Sequence, residues 1–260
     1  MLMKLIKHDV KSIGNLLLPL NGIILLMTLV GVGLRWTRLF VWDNVGPLVG
    51  ILLVTYVVGM AVIAVVSYFY PIIHFYRNLF SRQGYLTFTL PVSSWKILFS
   101  KTLVGFVWYL VNISVALFSV WAVTGFVRIP SGYIASINVY LMAEIGMSFA
   151  TLMGWILGIT LTSLLWSLIT AYFSISIGQL FAKHKIVASV AAYIVIYMVM
   201  QILVTIVVLP FLFRGAMMAG PSIHTVVSVS FYSTLIFTIV FSGLFYFLSG
   251  MIIKKKVNLD

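Results

Sequence analysis

The sequence predicts an all-α integral membrane protein with six transmembrane helices, and three observations carry that prediction. Of the 260 residues, 63% are hydrophobic and only 8% are charged, against about 45–50% and about 25% in soluble domains. The apolar residues fall into six runs, each long enough for a helix across a hydrocarbon core of about 30 Å. The basic residues gather between those runs, mostly on alternate connections. No segment is polar enough to surround a separate soluble core, so residues 1–260 read as a single transmembrane domain.

Residues 1–15 open the chain as an amphipathic helix rather than a span. Leu2, Leu5, Ile6, Val10 and Ile13 follow helical spacing, with Lys4, Lys7, His8 and Lys11 on the other side. That pattern predicts an interfacial helix anchored by basic residues. Asp9 falls near the middle of the apolar side. It either pairs with a lysine, stays solvated among headgroups, or docks onto something basic in the cytoplasm. A basic start before an apolar run also suits a signal peptide, but no small-x-small cleavage site follows clearly and the run is long enough to span.

The spans follow in order. Leu16–Leu34 holds 19 residues without charge, roughly 28 Å of helix at 1.5 Å per residue. Val45–Tyr70 and Thr102–Thr124 come next, then one span within Ile145–Phe181, then Ile186–Leu209 and Val226–Ile253. As one helix, Ile145–Phe181 would run about 55 Å, too long for one span and too short for two with a turn. Its first part is expected to be an outer interfacial helix that bends into the membrane. Residues 210–225, with Arg214, Gly215, Gly220 and Pro221, are expected to form a short external re-entrant element packed against protein. Gly154 with Gly158, and Gly46 with Gly50, have the small-xxx-small spacing that lets helices pack closely within a bundle.

With the N-terminus inside, twelve of the sixteen Lys and Arg residues fall on cytoplasmic segments and four, Arg35, Arg38, Arg128 and Arg214, fall outside. This positive-inside bias predicts cytoplasmic placement of both termini. The net charge of +12 does not point to nucleic acid, because no basic face interleaved with exposed aromatics gathers it.

Residues 72–100 form the most informative connection, a cytoplasmic loop in which polar and basic residues alternate with large apolar ones. Pro91 stops the helix before it, and Ser93 or Ser94 can cap the next. By composition alone this is an interfacial loop with snorkelling Arg and Lys. The string Arg82-Gln83-Gly84-Tyr85-Leu86-Thr87-Phe88-Thr89-Leu90-Pro91-Val92-Ser93, followed by Lys101 at the start of a span, resembles the ABC-2 type transporter permeases. It is similar in particular to small bacterial permeases of toxin-like peptide exporters, including those of phenol-soluble modulins. The amphipathic start, six spans with both ends inside, the element between spans five and six, and the Ser174–Leu180 to Lys185 ending of span four fit the same plan.

The resemblance implies a type V exporter-like architecture in a multi-pass protein of the bacterial cell membrane. It implies that Arg82, Gln83, Gly84, Tyr85, Leu86, Thr87, Phe88, Leu90 and Pro91 form a coupling helix seated in a cytoplasmic ATPase subunit. A second permease copy, or a similar subunit, would complete the pair, and amphipathic or hydrophobic peptides would be the cargo. A lipid or drug exporter, or an ATPase-independent immunity or channel protein, is the alternative.

The chemistry that is missing narrows the role. No Gly-x-x-x-x-Gly-Lys-Ser/Thr loop is present, so ATP and Mg belong on the partner ATPase and this chain carries no cofactor. Absence of cysteine removes disulfides, thiolate metal sites and a cysteine nucleophile. His8, His74, His184 and His224 sit in different end regions and form no metal-ligand pair, so the chain reads as a transport subunit and not an enzyme. Glu144, near the outer mouth of span four, either attracts cationic peptide or pairs with Arg128, or it is a solvated headgroup-level carboxylate. Aromatic and Met side chains with few charges within the spans suit an apolar or amphipathic substrate.

Overall fold

The computed structural model describes residues 2–36, 46–81, 84, 92–124, 132–181, 183–217 and 223–256. Among them the chain is all-helical: α1 (Leu2–Trp36), α2 (Gly46–Phe80), α3 (Ser94–Thr124), α4 (Tyr133–Glu144), α5 (Phe149–Gly178), α6 (Lys185–Met217) and α7 (Ile223–Lys256). All but α4 are long and apolar enough to cross a membrane. Contacts divide the chain into two compact units, Met1–Arg128 and Ile129–Asp260.

In the first unit, α1 and α3 make the most extensive contact. The pairs Asp9–Ser100, Asn21–Asn112 and Thr28–Ser119 are all separated by 91 residues. A constant offset means that the two helices run parallel, in register, along their length. The residues of α1 that make this seam, Asp9, Ile13, Leu17, Asn21, Ile24 and Thr28, are all buried. They recur every three or four positions, which places them on one face. Ile13 and Leu17 meet Val104 and Trp108 in a common cluster. Gly14 makes room for the ring, since a Cβ there would stand 2.9 Å from Trp108 Cζ2. The middle helix α2 is joined to the seam by Tyr109, whose hydroxyl donates to the Tyr68 carbonyl at 2.7 Å.

The second unit repeats that contact pattern, with α5 and α7 in the most extensive contact and α6 beside them. Phe245 anchors it, stacking on Phe173 at 4.7 Å and tilting against Trp166 at 5.2 Å. At the turn from α5 to α6 the backbones come so close that only glycine fits. A Cβ on Gly178 would stand 2.7 Å from both the Lys185 carbonyl oxygen and the Ser189 nitrogen.

Four expectations from the sequence change. Residues 1–15 are not a separate helix, because α1 runs unbroken from Leu2 through Pro19 to Trp36. Proline there costs one intrahelical bond, which a packed membrane helix tolerates. The loop at 72–100 is far shorter, since 72–80 complete α2 and 94–100 begin α3. The break expected inside Ile145–Phe181 lies at its start, between α4 and α5. Gly146 takes φ +74 there and Ser148 caps α5, accepting from the Thr151 amide at 3.1 Å. The rest of the stretch is one helix of 30 residues. Finally, α6 passes through Pro210 to Met217 and α7 starts at Ile223, so most of 210–225 is helix, and residues 218–222 lie outside the described ones.

The glycine spacing also reads differently in three dimensions. A Cβ on Gly154, Gly158 or Gly50 would meet no atom within 4 Å. Among the described residues, these glycines therefore mediate no close packing.

Candidate functional site

Three helix segments converge at one end of the first unit: the start of α1, the end of α2 and the start of α3. They bring together Asp9, Ser12, His74, Asn78, Ser100 and Lys101. The spacing that builds the seam also builds this cluster. Asp9 precedes Ile13 by one helical turn, and Lys101 precedes Val104 on the facing helix, so both turn inward.

Asp9 is wholly buried and Lys101 nearly so. Lys101 Nζ donates to Asp9 Oδ1, forming the one ion pair among the described residues. The second carboxylate oxygen accepts from Ser100 Oγ at 2.8 Å. Both oxygens of the carboxylate are thereby engaged, the condition under which a buried pair offsets much of its desolvation. Beside the pair, Ser12 Oγ lies 2.8 Å from His74 Nε2 and Asn78 Nδ2 lies 3.2 Å from the same nitrogen. Each contact joins or braces a different helix, so the end of the unit is fastened across α1, α2 and α3.

Further along the seam the rungs become neutral. Asn21 Nδ2 donates to Asn112 Oδ1 at 2.7 Å, and the Ser119 hydroxyl meets both Thr28 and Tyr56 at 2.5 Å. Ionisable groups stay at one end, and the middle of the seam carries only amides and hydroxyls. In a chain with spans of this length, charge is costly at the centre of the bilayer and tolerated nearer its ends.

The connection expected to couple to a partner leaves from this fastened end. Gly84 is its one described site residue. Its N–H donates to the Ser81 carbonyl at 2.8 Å, and a Cβ there would stand 2.8 Å from the Leu79 carbonyl carbon. The chain therefore folds tightly back against the last turn of α2, which requires glycine. On the other side Ser93 caps α3 through its backbone, its carbonyl accepting from Lys96 N at 2.9 Å. Arg82, Gln83, Tyr85, Leu86, Thr87, Phe88, Leu90 and Pro91 lie outside the described residues.

Of the outer pair, Glu144 ends α4, is exposed and makes no ion pair among the described residues, while Arg128 lies outside them. Sequence reasoning found Asp9 on an apolar face and allowed it a lysine, but did not identify Lys101 or see His74 beside it. The missing signal was the register of α1 on α3, which local periodicity does not contain.

No family model, curated protein or solved structure matches this chain. Fold and site together define a class: a multi-pass helical membrane protein with six helices of spanning length and polar side chains buried between them.

Proposed function

We propose that this chain is the membrane-spanning permease subunit of an ATP-driven exporter of the ABC-2 kind. The carrying observation is the buried Asp9–Lys101–Ser100 constellation at the end of the first unit from which residues 82–91 depart. A force applied to that segment meets three helices fastened together rather than one loose loop. The segment works as a coupling helix, with Tyr85, Leu86, Phe88 and Leu90 inserted into a cytoplasmic ATPase and Arg82, Gln83, Thr87 and Pro91 shaping it.

ATP and Mg reside on that ATPase, and a second permease copy or a similar subunit completes the assembly. Both termini face the cytoplasm of a bacterial cell. When the ATPase pair closes, the coupling segment moves with its cleft and carries the fastened helix ends along. The cargo is an amphipathic or hydrophobic peptide, in keeping with spans rich in aromatic and Met residues. In this reading exposed Glu144 is the acidic group offered to a cationic cargo on the outer side.

The test is copurification with a candidate ATPase subunit, using wild type and the Tyr85→Ala/Phe88→Ala double variant. Two apolar anchors of about 2 kcal/mol each correspond to about a thousandfold loss of association. Wild-type copurification lost in the variant is the expected result. Equal association and equal transport by the variant would remove the docking segment and the reading built on it.

A further inference from the structure

A cleft in the second unit gathers sulfur and imidazole donors that the proposed coupling does not use. It lies where α4 ends and where α5 and α7 begin, and has a volume of about 380 Å³. Met142 enters it from the last turn of α4, Met147 from the turn between α4 and α5, and His224 from the first turn of α7. The turn brings these residues together. Gly146 takes φ +74 as the chain leaves α4, and a Cβ there would stand 3.3 Å from His224 Cδ2. His224 therefore rests on the backbone immediately before Met147.

The hydroxyls of the cleft are already engaged with their own helices. Ser148 Oγ accepts from the Thr151 amide at 3.1 Å and meets Thr151 Oγ1 at 2.8 Å, and Ser228 Oγ donates to the His224 carbonyl at 2.7 Å. His224 differs from them. Its side chain is exposed and forms no hydrogen bond or ion pair with any described residue. A free imidazole and a pair of thioethers are what the cleft offers a ligand. Met147 is packed into the wall at 4% exposure, whereas Met142 is 51% exposed and its flexible side chain can swing its sulfur toward the ring.

This donor set is selective. Mg and Ca take several oxygens, carboxylates foremost, and no Asp or Glu stands among the described lining residues. Zinc gathers imidazoles, thiolates and carboxylates, but here a single imidazole stands in a chain without cysteine. Thioethers are soft ligands that select Cu(I), and imidazole suits copper as well. A cation also favours the aromatic wall. Trp155 lines the same cleft, its ring held edge-on against Tyr232 with centroids 4.4 Å apart, and its π face attracts positive charge.

We propose that this cleft binds a soft monovalent metal ion, Cu(I), through the sulfurs of Met142 and Met147 and a ring nitrogen of His224, with Trp155 beside it. Bound there, the ion ties the end of α4, which packs chiefly on α5, to the start of α7. The site stands independently of the exporter reading, and its test needs no ATPase, so either can fail alone.

The experiment uses the full chain, free of any affinity tag, in detergent micelles titrated with silver nitrate in chloride-free buffer. Ag(I) shares the charge and soft-donor preference of Cu(I) and needs no reductant. Bound silver quenches a nearby indole, and the difference between wild type and Trp155→Phe isolates Trp155. The expected result is saturable quenching of Trp155 that zinc nitrate does not reproduce. His224→Gln and Met142→Leu should each raise the half-saturation concentration about tenfold or more with an unchanged thermal midpoint, since both side chains are exposed. Met147→Leu nearly conserves volume and should act alike. If it does not fold, the two exposed variants decide. Linear quenching, equal quenching by zinc, or an unchanged half-saturation concentration in His224→Gln or in Met142→Leu would each overturn the proposal.

Discussion

Lys101 at the start of α3 donates to Asp9 near the start of α1, joining residues 92 apart, and the two side chains are 3% and 1% exposed. It is the charged rung of a ladder whose other rungs, Asn21–Asn112 and Thr28–Ser119, join the same two helices. The pair works with the apolar seam and not in place of it, since Ile13, Leu17, Val104 and Trp108 pack immediately above. Its particular contribution is register. A shift of one residue along the parallel seam would separate the charges and leave Ser100 without its carboxylate.

Removing one partner should therefore harm more than removing both. Lys101→Met leaves a buried carboxylate with only Ser100 and should cost about 3–5 kcal/mol. Asp9→Asn removes the carboxylate charge that balances the buried ammonium and should cost a similar amount. The double variant Asp9→Asn/Lys101→Met keeps an acceptor for Ser100 and buries no charge, so it should recover most of the loss. Reversible unfolding of the four proteins in mixed micelles measures this cycle. Additive losses in the double variant would show that the two residues act separately.

The α5–α6 turn makes an opposite pair of predictions for glycine. Gly178→Ala forces a methyl against the Lys185 carbonyl and the Ser189 backbone, which cannot rotate away. The expected destabilisation is about 1–3 kcal/mol. Replacing Ser189 with Ala as well should not rescue it, because the backbone clash remains. Gly154→Ala meets nothing within 4 Å and should hold or slightly raise the thermal midpoint. A well-tolerated Gly178→Ala would mean that the turn is looser than its geometry.

The six long helices were legible because apolar runs of spanning length have few other uses in a protein chain. Their ends were not. Pro210 looked like a stop, yet α6 continues through it, since a membrane helix loses one bond at proline and little else. The break before α5 depends on Gly146 at φ +74, and one glycine among apolar neighbours gives no local warning. Gly154 and Gly158 had packing spacing but face no neighbour among the described residues. At the candidate site, Asp9 was visible as a carboxylate on an apolar face, whereas Lys101, Ser100 and His74 reach it only through tertiary register. Of the coupling segment, the described structure adds Gly84 alone, whose tight return against Leu79 explains why that position is glycine.

The orientation of the helices gives the last prediction. Twelve of sixteen basic residues fall on one set of connections, and the buried pair with its neighbouring Lys4, Lys7 and Lys11 lies at that same end of the first unit. Headgroups and potential favour basic residues on the cytoplasmic face, so this end should be inside. The natural chain has no cysteine, so each introduced thiol reports alone. Ser93→Cys, Lys185→Cys and Lys254→Cys should react with a membrane-impermeant maleimide only after the cells are opened. Asn44→Cys, Tyr133→Cys and Ser148→Cys should react in intact cells. Ser93 and Lys185 lie at the starts of α3 and α6, while Tyr133 begins α4 and Ser148 caps α5, so the two groups sample alternate connections between the long helices. Labelling of Ser93→Cys in intact cells would place residues 82–91 outside, where no ATPase can reach them, and would end the exporter reading. Labelling of the second group only in opened cells would break the alternation of the six helices, even with the helices themselves intact.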